Sequence, residues 1–193
     1  MTLLLASASA IRRAMLESAG VAHEVAPAGI DEEAVKRELQ DPEAIAARLA
    51  AAKAEHVSRQ RPGAWVIGSD SVVSVEDRLF DKPVSREQAA EHLRFFSGKA
   101  MHLTSAVALA RNGAPEWLEA NSASLHVRPL SDSFITAYLD AEWPEVGNCV
   151  GVFRLEGRGV HLFSAIKGDH FTILGMPLLP LLGALRERGL VAA

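Results

Sequence analysis

The chain opens on a stretch, residues 3–13, that reads LLLASASAIRR. Its three leucines predict a short buried strand, and residues 10–19 then carry apolar side chains at helical spacing. Small residues join the two, so the connection lies at a helix N-terminus. The polar side chains placed there are those of Ser7, Ser9, Arg12 and Arg13. Helix-end amides, hydroxyls and guanidinium groups all donate hydrogen bonds, which predicts an anion site, although an N-cap serine followed by solvent-facing arginines would look the same.

Outward from this stretch, helices and strands alternate. Further strands are predicted at residues 23–26, 65–67, 72–73, 102–110, 117–127 and 160–166. Further helices are predicted at about 42–57, at 86–96, after Ser131 and at 177–188, with Asp41, Ser85 and Ser131 as N-caps. Asn112-Gly113 has the strongest short-range preference for a hairpin turn. This alternation predicts an α/β fold on a mixed sheet.

An aspartate follows the most β-rich run of the chain. Trp65-Val66-Ile67 leads into Gly68-Ser69-Asp70, and the strand pattern resumes only at Val72. Asp70 is therefore predicted at a strand break, where α/β proteins tend to place ligands, although a turn-stabilising aspartate has the same sequence. Three more charged residues lie at or near the ends of elements: Glu32 in an acidic loop, Lys53 on a helix and Lys82 before a proline.

Length and charge limit the possibilities further. The 193 residues are 49% hydrophobic, which suits one domain over residues 1–193 or two small lobes that share a cleft. A net charge of −4 gives no broad positive field for duplex nucleic acid or an anionic membrane. A small anionic ligand remains possible because it needs only a few converging cations.

Cysteine usage predicts the compartment. Cys149 is the single cysteine, which excludes an intramolecular disulfide and a cysteine-rich metal site and is typical of the reducing cytoplasm. The first residues have no positively charged region of the kind that begins a signal peptide. Residues 173–185 are apolar but too short for a spanning helix, so we expect a core helix there.

Nearly the whole chain resembles the Maf family. The opening motif is Leu5-Ala6-Ser7-Ala8-Ser9-Ala10-Ile11-Arg12. The later matches, in order, are Ile30-Asp31-Glu32, Leu49 to Lys53-Ala54, Gly68-Ser69-Asp70-Ser71-Val72-Val73, Lys82-Pro83, Leu93 to Ser97-Gly98-Lys99 with His102, Gly151-Val152-Phe153, Glu156-Gly157, Ile166-Lys167-Gly168-Asp169 and Leu174-Gly175-Met176-Pro177-Leu178. So many ordered matches indicate membership of the family.

The resemblance implies a mixed, twisted sheet with flanking helices and a deep central cleft, similar to the inosine triphosphate pyrophosphatases. It also implies a hydrolase of acid anhydrides that cuts nucleoside triphosphates between the α and β phosphates with Mg²⁺ or Mn²⁺, in nucleotide metabolism or house-cleaning. The implied phosphate ligands are Ser7, Ser9, Arg12 and, as a helper, Arg13. Lys53 and Lys82 would neutralise the leaving pyrophosphate, Glu32 and Asp70 would organise metal and water, and Asp70 would accept the proton.

Departures from the family pattern bear on the base. Ala10 replaces a proline, which removes a rigid helix start but no ligand group. Ile11 and Glu156 stand where the branch resembling dTTP/UTP pyrophosphatases has arginine and glutamine, and they are closer to the branch acting on 7-methyl-GTP. A buried carboxylate could accept hydrogen bonds from guanine N1 and N2, although a Glu156 that pairs with Arg154 or Arg158 would face solvent instead. Ile11, Ser71 and Glu156 are thus the expected specificity residues.

Two alternatives come from other classes. One is a non-catalytic nucleotide-binding regulator of septum formation, which could dispense with Asp70 or a lysine that this chain retains. The other is a phosphomonoesterase with a nucleophilic aspartate, which needs a second aspartate, and Asp77 is poorly placed for that role. The expected partners are a nucleotide and, in a homodimer, a second copy of the chain.

Overall fold

Seven strands form one mixed sheet in the computed structural model, which describes residues 2–192. They are β1 (Leu3–Leu5), β2 (Glu24–Val25), β3 (Trp65–Val75), β4 (Arg78–Phe80), β5 (Ala100–Arg111), β6 (Ala114–Val127) and β7 (Phe163–Lys167). The order is β2-β1-β3-β5-β6-β7, with β4 paired to β3. β1 runs parallel to β2 and β3, whereas β3–β4 and β6–β7 are antiparallel pairs.

Helices connect these strands. They are α1 (Ala10–Ser18), α2 (Glu32–Glu38), α3 (Pro42–Gln60), α4 (Arg86–Phe96), α5 (Asp132–Glu142), α6 (His170–Leu174) and α7 (Leu178–Glu187), with 3-10 turns at Glu145–Asn148 and Arg158–Leu162. The predicted N-caps are confirmed, because the side chains of Asp41, Ser85 and Ser131 each accept a hydrogen bond from an amide three residues on. The predicted α/β class is confirmed as well.

Three local predictions need correction. The strand break predicted before Asp70 is wrong, because β3 continues from Trp65 to Val75 and Asp70 lies inside it. The prediction of an acidic loop is wrong in part, since α2 starts at Glu32. The Asp31 carboxylate caps this helix by accepting a hydrogen bond from the amide of Ala34. The strand predicted from residue 160 begins only at Phe163, after a 3-10 turn. The predicted hairpin turn at residues 112–113 is confirmed, with positive φ at both positions.

The chain divides into two units, and the first contains residues 2–71, 104–122 and 169–192 of the described chain. Its core joins β1, α1, β3, β5 and α7. The central side chains are Leu5, Leu16, Ile67, Leu109, Leu181 and Leu185, all fully buried. The apolar segment at residues 173–185 therefore does supply core side chains, although α6 and α7 divide it.

The second unit contains residues 72–103 and 123–168. Its aromatic cluster packs Phe80 against Phe96 with ring centroids 4.7 Å apart, and His92 against Phe80 at 5.2 Å. Edge-to-face contacts of this kind stabilise a core beyond the area that they bury. Among the helices that the structure describes, none is long and apolar enough to cross a membrane.

Candidate active site

The connection between β1 and α1 brings three predicted phosphate ligands, Ser7, Ser9 and Arg12, together in the first unit. Oγ of Ser7 accepts hydrogen bonds from the amide of Ser9 at 3.2 Å and from Nη1 of Arg12 at 3.3 Å. Ser9 is the N-cap residue of α1, yet its side chain makes no capping hydrogen bond, and the first turn carries no acidic residue. The helix N-terminus therefore keeps its partial positive charge and its amide donors for an anion.

Arg12 extends from α1 into a cage of neutral oxygen atoms. Its Nε donates to the carbonyl of Gly175 at 2.9 Å, and Nη1 donates to the carbonyl of Ser69 at 2.9 Å as well as to Ser7. Nη2 donates to Oγ of Ser71 at 2.9 Å. A guanidinium has five N–H bonds, so four are taken and one on Nη2 has no partner within residues 2–192.

The charge of Arg12 is not neutralised by a direct ion pair. No carboxylate of the described chain lies within ion-pair distance of it. Burial lowers the pKa of the Arg12 guanidinium, and the more distant carboxylates of Asp70 and Glu32 oppose that shift. Arginine nonetheless stays protonated in proteins. The guanidinium thus remains a fixed positive charge that an anionic ligand can meet.

Two carboxylates share one ammonium beside this cage. Nζ of Lys53 lies 2.5 Å from Oδ1 of Asp70 and 2.7 Å from Oε1 of Glu32. The Lys53 and Asp70 side chains are only 10% and 11% exposed, whereas that of Glu32 is 43% exposed. The predicted acidic and basic residues of this unit are therefore brought together, with Asp70 at the buried end of the group.

Close packing of α3 on β3 brings Lys53 to Asp70. A Cβ at Gly68 would lie 2.1 Å from the carbonyl oxygen of Ala50 and 2.7 Å from the amide nitrogen of Ala54. Both alanines are fully buried, so glycine on the strand and alanine on the helix let the two backbones approach. The sequence signal for this packing is the small residue at each of the three positions.

The other predicted residues of the first unit lie in different surroundings. Arg13 pairs with Glu17 at 3.4 Å on the solvent face of α1, so its part in phosphate binding stays a prediction. Ile11 lines an apolar groove together with side chains of α6 and α7. Oγ of Ser71 contacts Arg12 and two further oxygen atoms inside the protein.

Lys82 and Glu156 belong to the second unit. Both act on the Cys149 thiol: its pKa is raised first by burial and then by Glu156, and Lys82 opposes this. The Glu156 carboxylate is exposed, so of the two expected placements the solvent-facing one is found. Its neighbour Arg154 does not pair with it, because Arg154 donates to the buried carboxylate of Glu142 at 2.9 Å.

The donor set fits a divalent cation only in part. Carboxylate oxygens are the ligands that Mg²⁺ prefers, and Glu32 and Asp70 already hold a cation, the Lys53 ammonium, between them. Within residues 2–192 no group of three or more His, Cys, Asp or Glu is arranged to hold a metal ion. Mg²⁺ is commonly bound by one or two carboxylates plus substrate phosphates. These residues fit that mode and not a preformed protein cage.

The neutral oxygen atoms that hold Arg12 were not among the predicted site residues, apart from Ser7 and Ser71. The carbonyl of Gly175 accepts three hydrogen bonds, from Arg12, Ser69 and Ser71, at 2.9, 3.0 and 3.2 Å. Gly175 ends α6 with φ +108°, a left-handed conformation that glycine adopts without strain. The sequence feature that indicates such acceptors is the pair Ser69 and Ser71 in the apolar strand β3, since buried hydroxyls require hydrogen-bond partners.

Fold and site together define an α/β protein that combines an arginine held by neutral oxygen atoms with a carboxylate–ammonium group. The family model described as Maf-like protein matches residues 2–188. The chain belongs to the Maf-like family.

Relatives cover almost the whole chain. It is 48% identical to "Nucleoside triphosphate pyrophosphatase" of Nitrobacter hamburgensis, over 98% of this chain and 95% of that one. It is 47% identical to "7-methyl-GTP pyrophosphatase" of Rhizobium etli, over 98% and 97%. A solved structure of a HAM1 protein from Coxiella burnetii matches 66% of this chain and 73% of its own with 15% identity and a TM-score of 0.44. The family assignment rests on the sequence matches.

Proposed function

We propose that this Maf-like protein hydrolyses nucleoside triphosphates between the α and β phosphates, which yields a monophosphate and pyrophosphate. The predicted enzyme class, a nucleoside triphosphate pyrophosphatase, is confirmed by the names of its relatives. The observation that carries the proposal is the Arg12 guanidinium, which is held by neutral oxygen atoms and leaves its charge for a polyphosphate. Phosphoanhydride hydrolysis depends mainly on positioning and charge stabilisation, and it needs no nucleophilic side chain.

The phosphates would be bound at the start of α1. Oγ of Ser9, the helix-end amides and the remaining N–H of Arg12 are donors for phosphate oxygens. Ser7 supports them by orienting the loop and Arg12. This arrangement supports the predicted roles of Ser7, Ser9 and Arg12.

Water would attack the α phosphorus while the bond to the bridging β oxygen breaks. The proton of that water passes to the Asp70 carboxylate, and the pyrophosphate departs with both electrons of the broken bond. Lys53 donates to Asp70 in this structure. It would turn toward the leaving group as negative charge accumulates there. We assign Lys82, from the second unit, the same charge-neutralising role on the basis of the family motif.

Glu32 and Asp70 would hold Mg²⁺ or Mn²⁺ together with the substrate phosphates. When bound, the metal supplies Lewis-acid stabilisation of phosphate charge and lowers the pKa of water. We expect Mn²⁺ to bind weakly to the protein alone and much more tightly with a non-hydrolysable nucleotide, as measured by the free Mn²⁺ signal in electron paramagnetic resonance. Glu32→Gln should weaken the second affinity, and equal Mn²⁺ binding with and without nucleotide would contradict the shared site.

For the base we propose a purine, and among purines 7-methylguanine. The support is Ile11, Glu156 and the relatives named as 7-methyl-GTP pyrophosphatases. Glu156 is exposed and has no ion-pair partner within the described chain, so its carboxylate is available to a base. A dTTP- or UTP-preferring enzyme is the second candidate, because the single N3–H of thymine or uracil can also donate to a carboxylate.

Hydrolysis in ¹⁸O-labelled water tests the reaction. We expect the label in the nucleoside monophosphate, with pyrophosphate unlabelled, because attack occurs at the α phosphorus. Label in pyrophosphate would place the attack at the β phosphorus, and diphosphate with orthophosphate would exclude a pyrophosphatase. Tight nucleotide binding with no turnover in the presence of metal would favour the non-catalytic regulator.

A further inference from the structure

The hydroxyl proton of Ser71 is used inside the protein. Oγ accepts from Nη2 of Arg12 at 2.9 Å and lies 2.8 Å from Oγ of Ser105 and 3.2 Å from the carbonyl of Gly175. A serine hydroxyl has one donor and two acceptor sites. Arg12 fills one acceptor site, and the single proton is shared between Oγ of Ser105 and the carbonyl of Gly175, so Ser71 has no proton left to donate to a nucleotide base.

Ser105 gives this contact a direction. Its Oγ donates to the carbonyl of Thr172 at 2.8 Å, and since it has only one proton it accepts from Ser71. Ser71 in turn accepts from Arg12. The hydrogen bonds therefore run from Arg12 through Ser71 and Ser105 to a backbone carbonyl of α6.

The hydrogen-bond series ends at Thr172, in a buried and capped part of α6. Ser105 and Thr172 are fully buried. The Asp169 carboxylate accepts from the amide of Thr172 at 2.7 Å and from its hydroxyl at 3.0 Å, which caps α6. The Thr172 carbonyl is thus a fixed acceptor, and the two serines transmit its position to the guanidinium.

We propose that Ser105 and Ser71 are positioning residues that fix the orientation of the Arg12 guanidinium, so that its remaining N–H points to a phosphate oxygen of the substrate. The use of that N–H rests on the proposed function, whereas the ordering of Arg12 does not. An arginine side chain has many rotamers, and loss of the acceptor on Nη2 leaves that end of the guanidinium free to turn. Ser71 then acts through Arg12 and is not a hydrogen-bond donor to the base.

Ser105→Ala is the main test, and Thr104→Val is its matched control. Thr104 is the adjacent residue of β5, and its hydroxyl bonds to Ser122 at 2.7 Å, so the control also removes one hydroxyl hydrogen bond from the strand. The first readout is hydrogen exchange of the Arg12 Nε–H, followed by NMR. We expect exchange at least about tenfold faster in Ser105→Ala than in wild type and little change in Thr104→Val, because only Ser105 contacts Ser71.

The second readout is kinetic. We expect Ser105→Ala to raise KM for the nucleoside triphosphate about fivefold with a smaller change in kcat, because the substrate contact is weakened in both ground state and transition state. In an Arg12→Ala background, Ser105→Ala should have no further effect on KM, since the residue acts through Arg12. Additive effects in the two backgrounds would overturn the proposal.

Stability is monitored by urea denaturation, and Ser71→Ala tests the same hydrogen-bond chain if Ser105→Ala does not fold. Unchanged Arg12 exchange in a folded Ser105→Ala or Ser71→Ala protein overturns the positioning role. If wild type neither binds nor hydrolyses any nucleotide, the proposed function fails, but the exchange measurement still decides whether the serines order Arg12.

Discussion

Nζ of Lys53 lies 2.5 Å from Oδ1 of Asp70, and both side chains are about nine-tenths buried. A buried ammonium so close to the carboxylate holds one oxygen of Asp70 in place. The same ammonium contacts Glu32, which is four times as exposed as Asp70, at 43% against 11%. The more buried carboxylate is the better candidate for proton transfer because less water competes there.

Asp70→Asn should lower kcat by at least about a hundredfold and leave nucleotide binding measured without metal largely intact. The amide keeps the shape and can still accept from Lys53, but it cannot take a proton. Steady-state kinetics with a separate binding measurement checks this. Asp41→Asn is the control, since asparagine caps α3 as well as aspartate does. Wild-type turnover in Asp70→Asn would remove Asp70 from the mechanism.

Gly68→Ala should lower the free energy of unfolding by about 3 kcal/mol or more and reduce activity. The added methyl group would meet the Ala50 carbonyl at 2.1 Å, which pushes α3 and Lys53 away from β3. Gly183→Ala is the control, because a Cβ there meets nothing within 4 Å and alanine is favoured in α7. Denaturant titration of both variants decides the matter, and equal stabilities would contradict the packing argument.

Glu156→Gln should lower the ratio of kcat/KM for 7-methyl-GTP or GTP to that for UTP by about tenfold, since guanine presents two donors to a carboxylate. Kinetics with 7-methyl-GTP, GTP, dTTP and UTP measures it. Glu145→Gln removes the same charge from another exposed residue near Arg154 and should leave the ranking unchanged. An unchanged ranking in Glu156→Gln, or a wild-type preference for dTTP or UTP, would show that this glutamate does not read the base.

Acid should destabilise the second unit through His92. Burial first, and then Arg78, lowers the pKa of His92, and its Nδ1 is buried without a partner in the described chain. The folded state binds this proton less readily than the unfolded state, whose histidine pKa is roughly 6.5. The contribution is therefore complete above that value and is lost as the pH falls below it toward the lower pKa of the folded state.

The midpoints of urea unfolding at about pH 7.5 and about pH 5.5, which bracket the unfolded histidine pKa of roughly 6.5, measure this loss. We expect a smaller decrease in His92→Phe, because phenylalanine fills the site between Phe80 and Phe96 without titrating. His102→Gln changes an exposed histidine and should keep the wild-type pH dependence. The same decrease in all three proteins would assign the acid sensitivity elsewhere.

The sequence by itself determined the local structure and the family. Asp41, Ser85 and Ser131 cap helices where they were predicted, and the 112–113 turn joins β5 to β6. Each of these interactions lies within four residues of chain, so its pattern is complete in the local sequence. The ordered motifs likewise indicated the family that the model match over residues 2–188 shows.

Only the tertiary structure decided how the site is assembled. Arg12 reaches acceptors 57 and 163 residues away, at Ser69 and Gly175, and Ser71 meets Ser105 across 34 residues. Two of those acceptors are backbone carbonyls, which every residue has, so no side-chain pattern marks them. Asp70 meets Lys53 because α3 packs closely on Gly68 of β3, a contact between segments that local propensity does not describe. Long-range packing and backbone acceptors, both invisible to local patterns, fix where the charges of this protein meet.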